Sequence, residues 1–368
     1  MATAREELLI HPRRAAGDVI LDVRDLQTHF ATDDGVVRAV DGVSFSLAER
    51  EVLAIVGESG CGKTVTSLSI MGLLPEPAGR IAGGEILFRG TDLVQLDRRR
   101  RRALRGDRIA MIFQDPLTAL NPVHRVGRQI AEIVRTHREI SRDDAMQRAV
   151  ELLGLVGIPN AEERARDYPH QFSGGMRQRV MIAMAIANEP DVLIADEPTT
   201  ALDVTVQAQI LDLLLDVRER LGMAMILITH DLGVVAGVAD RVVVMYAGKK
   251  VEEGDVDSIY ERPRHPYTWG LLAATARADK VRGARLYQIP GAPPSLIDPP
   301  PACRFAPRCA YCQEELCPVE YPELRPAGDE GQQAACHFAD RSDWGPEMAP
   351  DEFSRRWHAE QAEQGDSR

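Results

Sequence analysis

This chain is organised around the motif Gly57-Glu58-Ser59-Gly60-Cys61-Gly62-Lys63-Thr64. It fits the pattern G-x-x-x-x-G-K-[ST], in which glycines turn backbone N–H groups toward a chain of phosphates. The run before it, residues 52–56, is short, apolar and β-branched, which predicts a strand buried on both faces of a parallel sheet. Residues 63–74 contain no proline and predict a helix, whose N-terminus favours anions. We therefore predict a P-loop, with Lys63 at the β- and γ-phosphates and the Thr64 hydroxyl at Mg²⁺.

Length and composition predict a globular protein with more than one unit. The chain has 368 residues, too many for one compact core, and 44% of them are apolar. Its net charge of −12 argues against general nucleic-acid binding. No apolar run reaches the roughly 18 to 20 residues that span a bilayer, and residues 1–17 lack the pattern of a secretory signal. We therefore expect a soluble protein that stays in the cytoplasm.

The residues around the P-loop predict alternating strands and helices. Alternating apolar residues from Val19 to Leu47, with turns expected at 33–35 and 41–42, predict antiparallel strands, and Phe30 falls in the first turn. Residues from about 115 to 187 predict a helical subdomain. Further on, residues 191–196 and 225–229 predict buried strands on either side of a helix. This alternation is typical of a mainly parallel sheet covered on both faces.

Two further motifs carry groups suited to phosphate chemistry. Asp196 and Glu197 end a predicted strand, where adjacent side chains point in different directions. Asp196 can then hold Mg²⁺ while Glu197 faces a water in line with the γ-phosphate; a helix N-cap is the alternative for this motif. Residues 173–175, Ser-Gly-Gly before a helix, form a second possible anion-binding turn, although alone they favour a helix cap.

Together these motifs resemble the ATP-binding-cassette (ABC) family over residues from about 19 to 260. The resemblance implies an α/β fold of the P-loop NTPase class, with a RecA-like core, an antiparallel β-layer and a helical subdomain. It also implies that two cassettes meet head to tail, so that each ATP lies between the P-loop of one and the Ser-Gly-Gly signature of the other. The residues that carry the resemblance are the P-loop, Gln114, residues 173–178, Asp196, Glu197, Asp203 and His230.

The resemblance also assigns a role to each of these residues. The signature contacts the γ-phosphate across the dimer interface, Gln114 senses Mg²⁺ and the attacking water, and His230 contacts the γ-phosphate. Asp203 communicates across the interface, and Phe30 stacks on adenine. The implied ATP and Mg²⁺ site comprises Phe30, Gly57, Ser59, Gly60, Cys61, Gly62, Lys63, Thr64, Gln114, Ser173, Gly174, Gly175, Asp196, Asp203 and His230. The implied catalytic residues are Glu197, His230 and Gln114, and the implied Mg²⁺ ligands are Thr64, Gln114 and Asp196.

A second unit begins after Glu261, where prolines become frequent. Residues 265–268 (His-Pro-Tyr-Thr), the segment 289–301 and a group of five cysteines resemble the C-terminal extension of oligopeptide and dipeptide importer ATPases. We therefore predict an N-terminal tail at 1–18, a nucleotide-binding domain at 19–261 and the extension at 262–340. The polar residues 341–368 predict a disordered tail.

The cysteines of the extension indicate a metal, because disulfides are rare in a reducing compartment. Cys303, Cys309, Cys317 and Cys336 supply the four thiolates of a [4Fe–4S] cluster, with Cys312 spare. Zinc is the alternative, because Cys309 and Cys312 have the spacing of a zinc knuckle and Cys336-His337 could complete a tetrahedron. Unliganded thiols are a third possibility. The resemblance favours the cluster, since some members of the family bind one here.

The resemblance implies an ATP-hydrolysing subunit of a di- or oligopeptide importer, peripheral at the cytoplasmic face of the cell membrane. Its expected partners are a second, paralogous cassette, two transmembrane permease subunits and an extracytoplasmic solute-binding protein, with no nucleic acid. Nickel and glutathione importers of the same branch are an alternative, as is a cassette that acts on ribosomes or DNA. A catalytically inactive regulatory cassette is opposed by the intact Lys63, Asp196, Glu197 and His230. The arginine run 98–102 is interpreted as a solvated face, with anionic lipid as the alternative contact.

Overall fold

The computed structural model describes residues 17–115, 119–200, 202–276, 289–328, 330–341 and 344–365. The predicted N-terminal tail lies almost wholly outside the described residues. The strands are β1 (Val19–Thr32), β2 (Gly35–Ala48), β3 (Val52–Val56), β4 (Gly79–Phe88), β5 (Thr91–Asp92), β6 (Ile109–Ile112), β7 (Val192–Asp196), β8 (Ala224–Thr229), β9 (Arg241–Tyr246), β10 (Lys249–Asp255), β11 (Arg325–Pro326) and β12 (Gln333–Ala334).

The helices lie in the connections between these strands and in the extension. They are α1 (Lys63–Met71), α2 (Arg98–Leu104), α3 (Val126–His137), α4 (Arg142–Leu155), α5 (Ala161–Arg164), α6 (Gly174–Ala185), α7 (Val204–Leu221), α8 (Leu232–Val235), α9 (Val256–Glu261), α10 (Pro266–Ala276) and α11 (Pro350–Gly365), with 3-10 turns at Pro169–Gln171 and Ala306–Arg308. Among the described residues, none of these helices is both long enough and apolar enough to cross a membrane.

The larger sheet has the strand order β11-β12-β10-β9-β3-β8-β7-β6. The five strands from β9 to β6 are parallel, and every residue of β3, β7 and β8 is buried. These uninterrupted apolar runs suit strands covered on both faces. Because β3 and β7 both flank β8, the P-loop after β3 and the carboxylates at the end of β7 meet at one edge of the sheet. Ligands of open α/β sheets bind at this carboxyl edge.

The antiparallel layer has the order β2-β1-β4-β5 and packs over the P-loop side of the larger sheet. The predicted turn at residues 33–35 joins β1 to β2. The predicted turn at Asp41-Gly42 is wrong, because both residues continue β2. The pairing of β1 with β2 shifts register nearby, between Leu26 and Gln27, and Gly42 accommodates the irregularity with φ of 80°.

The helical subdomain is built from α3 to α6 around a shared apolar core. Ile130, Val134, Ala149, Leu153 and Val180 are fully buried there. Residues 126–138 and 143–153 have the three- and four-residue apolar spacing of helices that pack on one face, and α3 and α4 occupy these positions. The last helix of the subdomain predicted at about 115–187, α6, ends at Ala185.

The extension continues the sheet of the cassette, because β12 pairs with β10 through Glu252 and Ala334. Its own core is aromatic and includes Trp269, Trp344 and Phe353. The structure differs from the predicted disordered tail, because residues 350–365 form α11. Phe353 of this helix is 2% exposed, so an aromatic anchor holds a segment whose composition is otherwise polar.

Candidate functional site

The P-loop surrounds the start of α1 with backbone donors. Gly62 precedes this helix with φ of 106°, and a Cβ there would lie 2.4 Å from the Ala39 carbonyl oxygen. Only glycine fits this position. Within the described part of the chain, no side chain caps the N-terminus of α1, and the first turn of this helix contains no acidic residue. Its N–H groups therefore remain suited to bind an anion.

Lys63 is buried beneath the loop, with 4% of the residue exposed. Its Nζ donates to the carbonyl oxygens of Gly57 at 2.7 Å and Glu58 at 3.1 Å. The ammonium group also lies 3.8 Å from Glu197 Oε1. This charge therefore sits between the P-loop and the end of β7, where a polyphosphate would need compensation.

Asp196 and Thr64 place two oxygen atoms of the kind that bind magnesium side by side. The Thr64 hydroxyl donates to Asp196 Oδ1 at 3.2 Å. Burial raises the pKa of the Asp196 carboxyl to about 6, with Glu197 adding to the rise and Thr64 and Lys63 opposing it. A buried carboxylate beside a hydroxyl is a donor set of the kind Mg²⁺ prefers, so these residues fit the ion that an ABC-like site implies.

Glu197 occupies a sharp turn immediately after β7. Its φ is 46°, a left-handed conformation, and its N–H donates to the Ile228 carbonyl oxygen at 2.9 Å. Three side chains contact Glu197 Oε2: Gln114 at 3.1 Å, Thr200 at 3.0 Å and His230 Nδ1 at 3.4 Å. The carboxylate is therefore fixed toward the P-loop.

A pocket of about 140 Å³ joins these groups. Most of its lining residues belong to the sequence motifs described above. The lining residues are Ala39, Ser59, Gly60, Gly62, Lys63, Thr64, Val65, Gln114 and Glu197. The pocket therefore combines backbone donors, one ammonium group, one amide and one carboxylate, the set needed to bind a polyphosphate and activate a water.

The signature and Asp203 lie outside the described lining of this pocket. Ser173 caps α6 by accepting from the Met176 N–H at 3.3 Å, and Asp203 caps α7 by accepting from the Val206 N–H at 3.0 Å. A Cβ on Gly175 would come within 2.9 Å of Val206. The starts of α6 and α7 are therefore in close contact, apart from the P-loop of the same chain.

Phe30 lies within β1 and not in the turn that we predicted. It pairs with Val37 and Gly79 in the antiparallel layer, and a Cβ on Gly79 would meet its ring at 2.7 Å. Phe30 is not among the described residues that line the pocket. Its role as an adenine platform stays a prediction.

Comparisons of this chain with known proteins identify the family to which it belongs. The family described as "ABC transporter" matches residues 40–200, and "Oligopeptide/dipeptide transporter, C-terminal region" matches residues 251–317. The chain is 53% identical over 323 residues to the probable peptide ABC transporter ATP-binding protein y4tR of Sinorhizobium fredii, covering 87% of this chain and 95% of that protein. The chain belongs to the ABC transporter family.

Other relatives and solved structures agree with this assignment. This ABC ATPase is 56% identical to the oligopeptide transport ATP-binding protein OppD of Bacillus subtilis, over 80% of this chain and 82% of the relative. It is 49% identical to the dipeptide transport ATP-binding protein DppD of Escherichia coli, over 87% and 96%. The dimeric cassette MJ0796, solved in a post-hydrolysis state with ADP and phosphate, matches with a TM-score of 0.58 and 26% identity, covering 64% of this chain and 98% of that one. The predicted family and fold are confirmed.

Three residues near the P-loop of the ABC ATPase were missed from the sequence. Thr200 contacts Glu197, as described above. The Tyr267 hydroxyl accepts from the Glu58 N–H at 2.7 Å, and Arg308 binds the Glu58 carboxylate at 2.6 and 2.9 Å. Tyr267 belongs to the His-Pro-Tyr-Thr motif, which is the signal in the sequence that marks it as a candidate for a contact with the P-loop. Arg308 carries no signal in the sequence that points to the P-loop.

The extension of the ABC ATPase gathers its cysteines around a second, small pocket of about 20 Å³. Cys303, Cys309, Cys317 and Cys336 line it together with aromatic side chains, whereas Cys312 is not among its described lining residues. Burial raises the pKa of the Cys303 thiol to about 11 and raises that of Cys336 well above its ordinary value. Within the described ranges, no three His, Cys, Asp or Glu side chains converge closely enough to bind a metal ion.

Proposed function

We propose that this ABC ATPase hydrolyses ATP at the P-loop pocket to drive the import of di- or oligopeptides. The observation that carries the hydrolytic part is the fixed Glu197 carboxylate, which Gln114, Thr200 and His230 hold in the pocket that the P-loop also lines. Peptide cargo is supported by the matched C-terminal region and by the names of the relatives.

Within this proposal, each described residue has a distinct task. Lys63 and the N–H groups of the P-loop bind the β- and γ-phosphates. Thr64, Asp196 and Gln114 would hold Mg²⁺, which neutralises phosphate charge when bound. Glu197 orients the attacking water and accepts its proton, because its carboxylate is the base that the contacting side chains aim into the pocket. His230, whose side chain is 59% exposed, would contact the γ-phosphate.

The second half of the site would come from another cassette. Ser173, Gly174 and Gly175 begin α6 and lie outside the described lining of the P-loop pocket, which supports a role in a neighbour's site. Asp203 starts the adjacent helix and would relay contacts across that interface, and Phe30 would stack on adenine. The further partners are two permease subunits and a solute-binding protein, with the ABC ATPase peripheral at the cytoplasmic face of the membrane.

Transport by the assembled complex tests the cargo. The membrane and binding proteins that co-purify with the ABC ATPase would be reconstituted with it in vesicles. ATP would be supplied on the side of the vesicle membrane where the ATPase lies. We expect ATP-dependent uptake of radiolabelled di- or oligopeptides and none with Glu197→Gln. Uptake of nickel or glutathione without peptide uptake would establish the alternative cargo.

We further propose that Cys303, Cys309, Cys317 and Cys336 hold a [4Fe–4S] cluster with a structural or regulatory role. These four cysteines line one pocket whose aromatic side chains would keep water from a cluster. Because the pocket has only about 20 Å³ of space and its described side chains do not converge on a metal ion, the cysteine segments would have to rearrange to admit the cluster. The raised thiol pKa values mean that the iron would have to displace the protons to obtain thiolate ligands.

Colour and metal content test the cluster. Protein purified without oxygen should be brown, with iron and acid-labile sulfide in equal amounts. Cys309→Ser should lose the colour, whereas Cys312→Ser should keep it, because Cys312 lies outside the lining. A colourless protein with one zinc, released by Cys312→Ser, would instead establish the zinc site.

A further inference from the structure

Glu58 places a negative charge in the loop that must bind anionic phosphates. It is the acidic residue of the stretch 57–64, and its side chain is 26% exposed. Repulsion between like charges near a partly buried site is screened less than in open water. The charge of Glu58 therefore opposes ATP binding unless another group compensates it.

Arg308 of the extension supplies this compensation. Its Nη1 donates to Glu58 Oε2 at 2.6 Å and its Nη2 donates to Glu58 Oε1 at 2.9 Å. This bidentate geometry suits a guanidinium and is not available to lysine. The side chain of Arg308 is only 5% exposed. This ion pair therefore joins a buried side chain of the extension to a partly exposed side chain of the P-loop.

The other contacts of Arg308 hold its guanidinium in place. Nε donates to the Pro290 carbonyl oxygen at 2.8 Å, Nη2 to that of Ile289 at 3.3 Å, and Nη1 to the Tyr246 hydroxyl at 3.3 Å. Tyr246 ends β9, beside the P-loop strand β3. An arginine with this many partners cannot turn away from Glu58 without losing several hydrogen bonds.

The backbone of Glu58 is fixed from the same side. Its N–H donates to the hydroxyl of Tyr267, which is fully buried in α10. Its carbonyl oxygen accepts from Lys63 Nζ at 3.1 Å. A displacement of Glu58 would therefore move the ammonium group that meets the phosphates.

We propose that Arg308 is a positioning residue for ATP binding, which neutralises Glu58 and fixes the P-loop conformation that presents Lys63. Arg308 is not among the described residues that line the pocket, and it acts through Glu58. The extension is then a determinant of nucleotide affinity as well as an appendage of the cassette.

Single and double substitutions that remove the charges of Arg308 and Glu58 in the full-length chain test this proposal. Arg308→Gln should raise the Kd for Mg-ATP about tenfold, equivalent to about 1.4 kcal/mol. The double variant Glu58→Gln/Arg308→Gln should bind within about threefold of wild type, because the uncompensated carboxylate is gone. The defect of Arg308→Gln should also shrink at high salt, where repulsion is screened. In the assembled transporter, KM for ATP should rise while kcat changes less than about twofold.

Arg304→Gln is the matched control. Arg304 is equally buried in the extension and pairs with Asp41 of β2, but it does not contact Glu58. Its Kd for Mg-ATP should stay within about twofold of wild type, even if thermal stability falls. Should Arg308→Gln yield little folded protein, Arg308→Lys replaces it. We expect its Kd for Mg-ATP to be about threefold higher than that of wild type, because lysine cannot make the second hydrogen bond to the Glu58 carboxylate.

Three results would overturn the role of Arg308. One is an unchanged Kd in Arg308→Gln. Another is a double variant that binds no better than Arg308→Gln, since a purely structural loss is not relieved by removing Glu58. The third is an equal loss in Arg304→Gln. None of them affects the proposed hydrolysis at Glu197, which the Glu197→Gln variant tests separately.

Discussion

Glu197 sits where a single carboxylate decides between ATP binding and ATP hydrolysis. Its oxygens contact Gln114, Thr200 and His230 on one side and approach Lys63 on the other. An amide of the same size could keep most of these hydrogen bonds, but it cannot accept a proton from water. The residue is therefore suited to a substitution that separates the two steps.

We expect Glu197→Gln to bind Mg-ATP with near wild-type affinity and to lose at least about 100-fold in turnover, as is typical for a lost general base. Equilibrium binding and phosphate release in the assembled complex measure the two effects. Lys63→Ala is the control, because it should weaken binding itself. Near wild-type turnover in Glu197→Gln would exclude this carboxylate as the base.

At this scale, the sequence predicted the residues whose chemistry is local. Lys63, Thr64, Asp196 and Glu197 stand in short motifs, and the structure brings them together. Arg308 could not be found in this way, because it meets Glu58 across 250 residues of chain. A contact of such separation leaves no periodicity or motif in either segment.

At the scale of elements, the starts of α6 and α7 form one packed unit. Gly175 lies so close to Val206 that an added methyl group would need the helices to shift. The same glycine belongs to the signature, whose backbone would face a phosphate of the neighbouring cassette. Packing and phosphate contact can therefore be separated by substitution.

We expect Gly175→Ala to lower the ATPase rate of the assembled complex by more than about tenfold, while the Mg-ATP affinity of the isolated chain stays unchanged. Adding Val206→Ala should restore thermal stability, because it makes room for the methyl group, but it should not restore the ATPase rate. If the double variant regains full activity, Gly175 serves helix packing only.

The elements also show what apolar pattern can and cannot predict. β3, β7 and β8 are continuous apolar runs between turn residues, and their predicted bounds agree with the structure to within one residue. The wrong turn at Asp41-Gly42 is an irregularity inside a long strand, which glycine marks as readily as a turn. The helix α11 escaped prediction because burial of Phe353 and Trp344 depends on distant parts of the extension.

At the scale of the whole molecule, Glu252 joins the cassette to the extension. It is fully buried in β10 and accepts hydrogen bonds from the Arg264 N–H, the His265 N–H, the Thr268 hydroxyl and the Gln332 amide. Burial raises the pKa of its carboxyl to about 7, against the hydrogen bonds that lower it. Burial also lowers the pKa of the neighbouring His265 imidazole to about 3.

These two groups act on stability in opposite directions. Glu252 keeps its proton in the folded state. Its contribution to the free energy of unfolding is therefore complete below pH 4.5 and is lost as the pH rises through 7. His265 stays neutral in the folded state. Its contribution to the free energy of unfolding is therefore complete above pH 6.5 and is lost as the pH falls toward 3. Between about pH 4.5 and 6.5 the two slopes, each about 1.4 kcal/mol per pH unit, nearly cancel.

We therefore expect Glu252→Gln to change the pH profile of stability. Its free energy of unfolding should rise more steeply than that of wild type between pH 4.5 and 6.5, because the effect of His265 is no longer opposed. Urea denaturation at half-unit pH intervals measures both profiles. Glu85→Gln is the control, since that side chain is 55% exposed. Parallel profiles for wild type and Glu252→Gln would show that Glu252 titrates normally.

The separation of Glu58 from Arg308 has a consequence for biosynthesis. The two residues are 250 positions apart, and at about 5 to 20 residues per second a ribosome needs about 12 to 50 s to travel from one to the other. During that time the P-loop exists while its carboxylate has no partner. On the proposed role of Arg308, the nascent cassette then binds ATP weakly, and its affinity rises only when the extension has left the ribosome and docked.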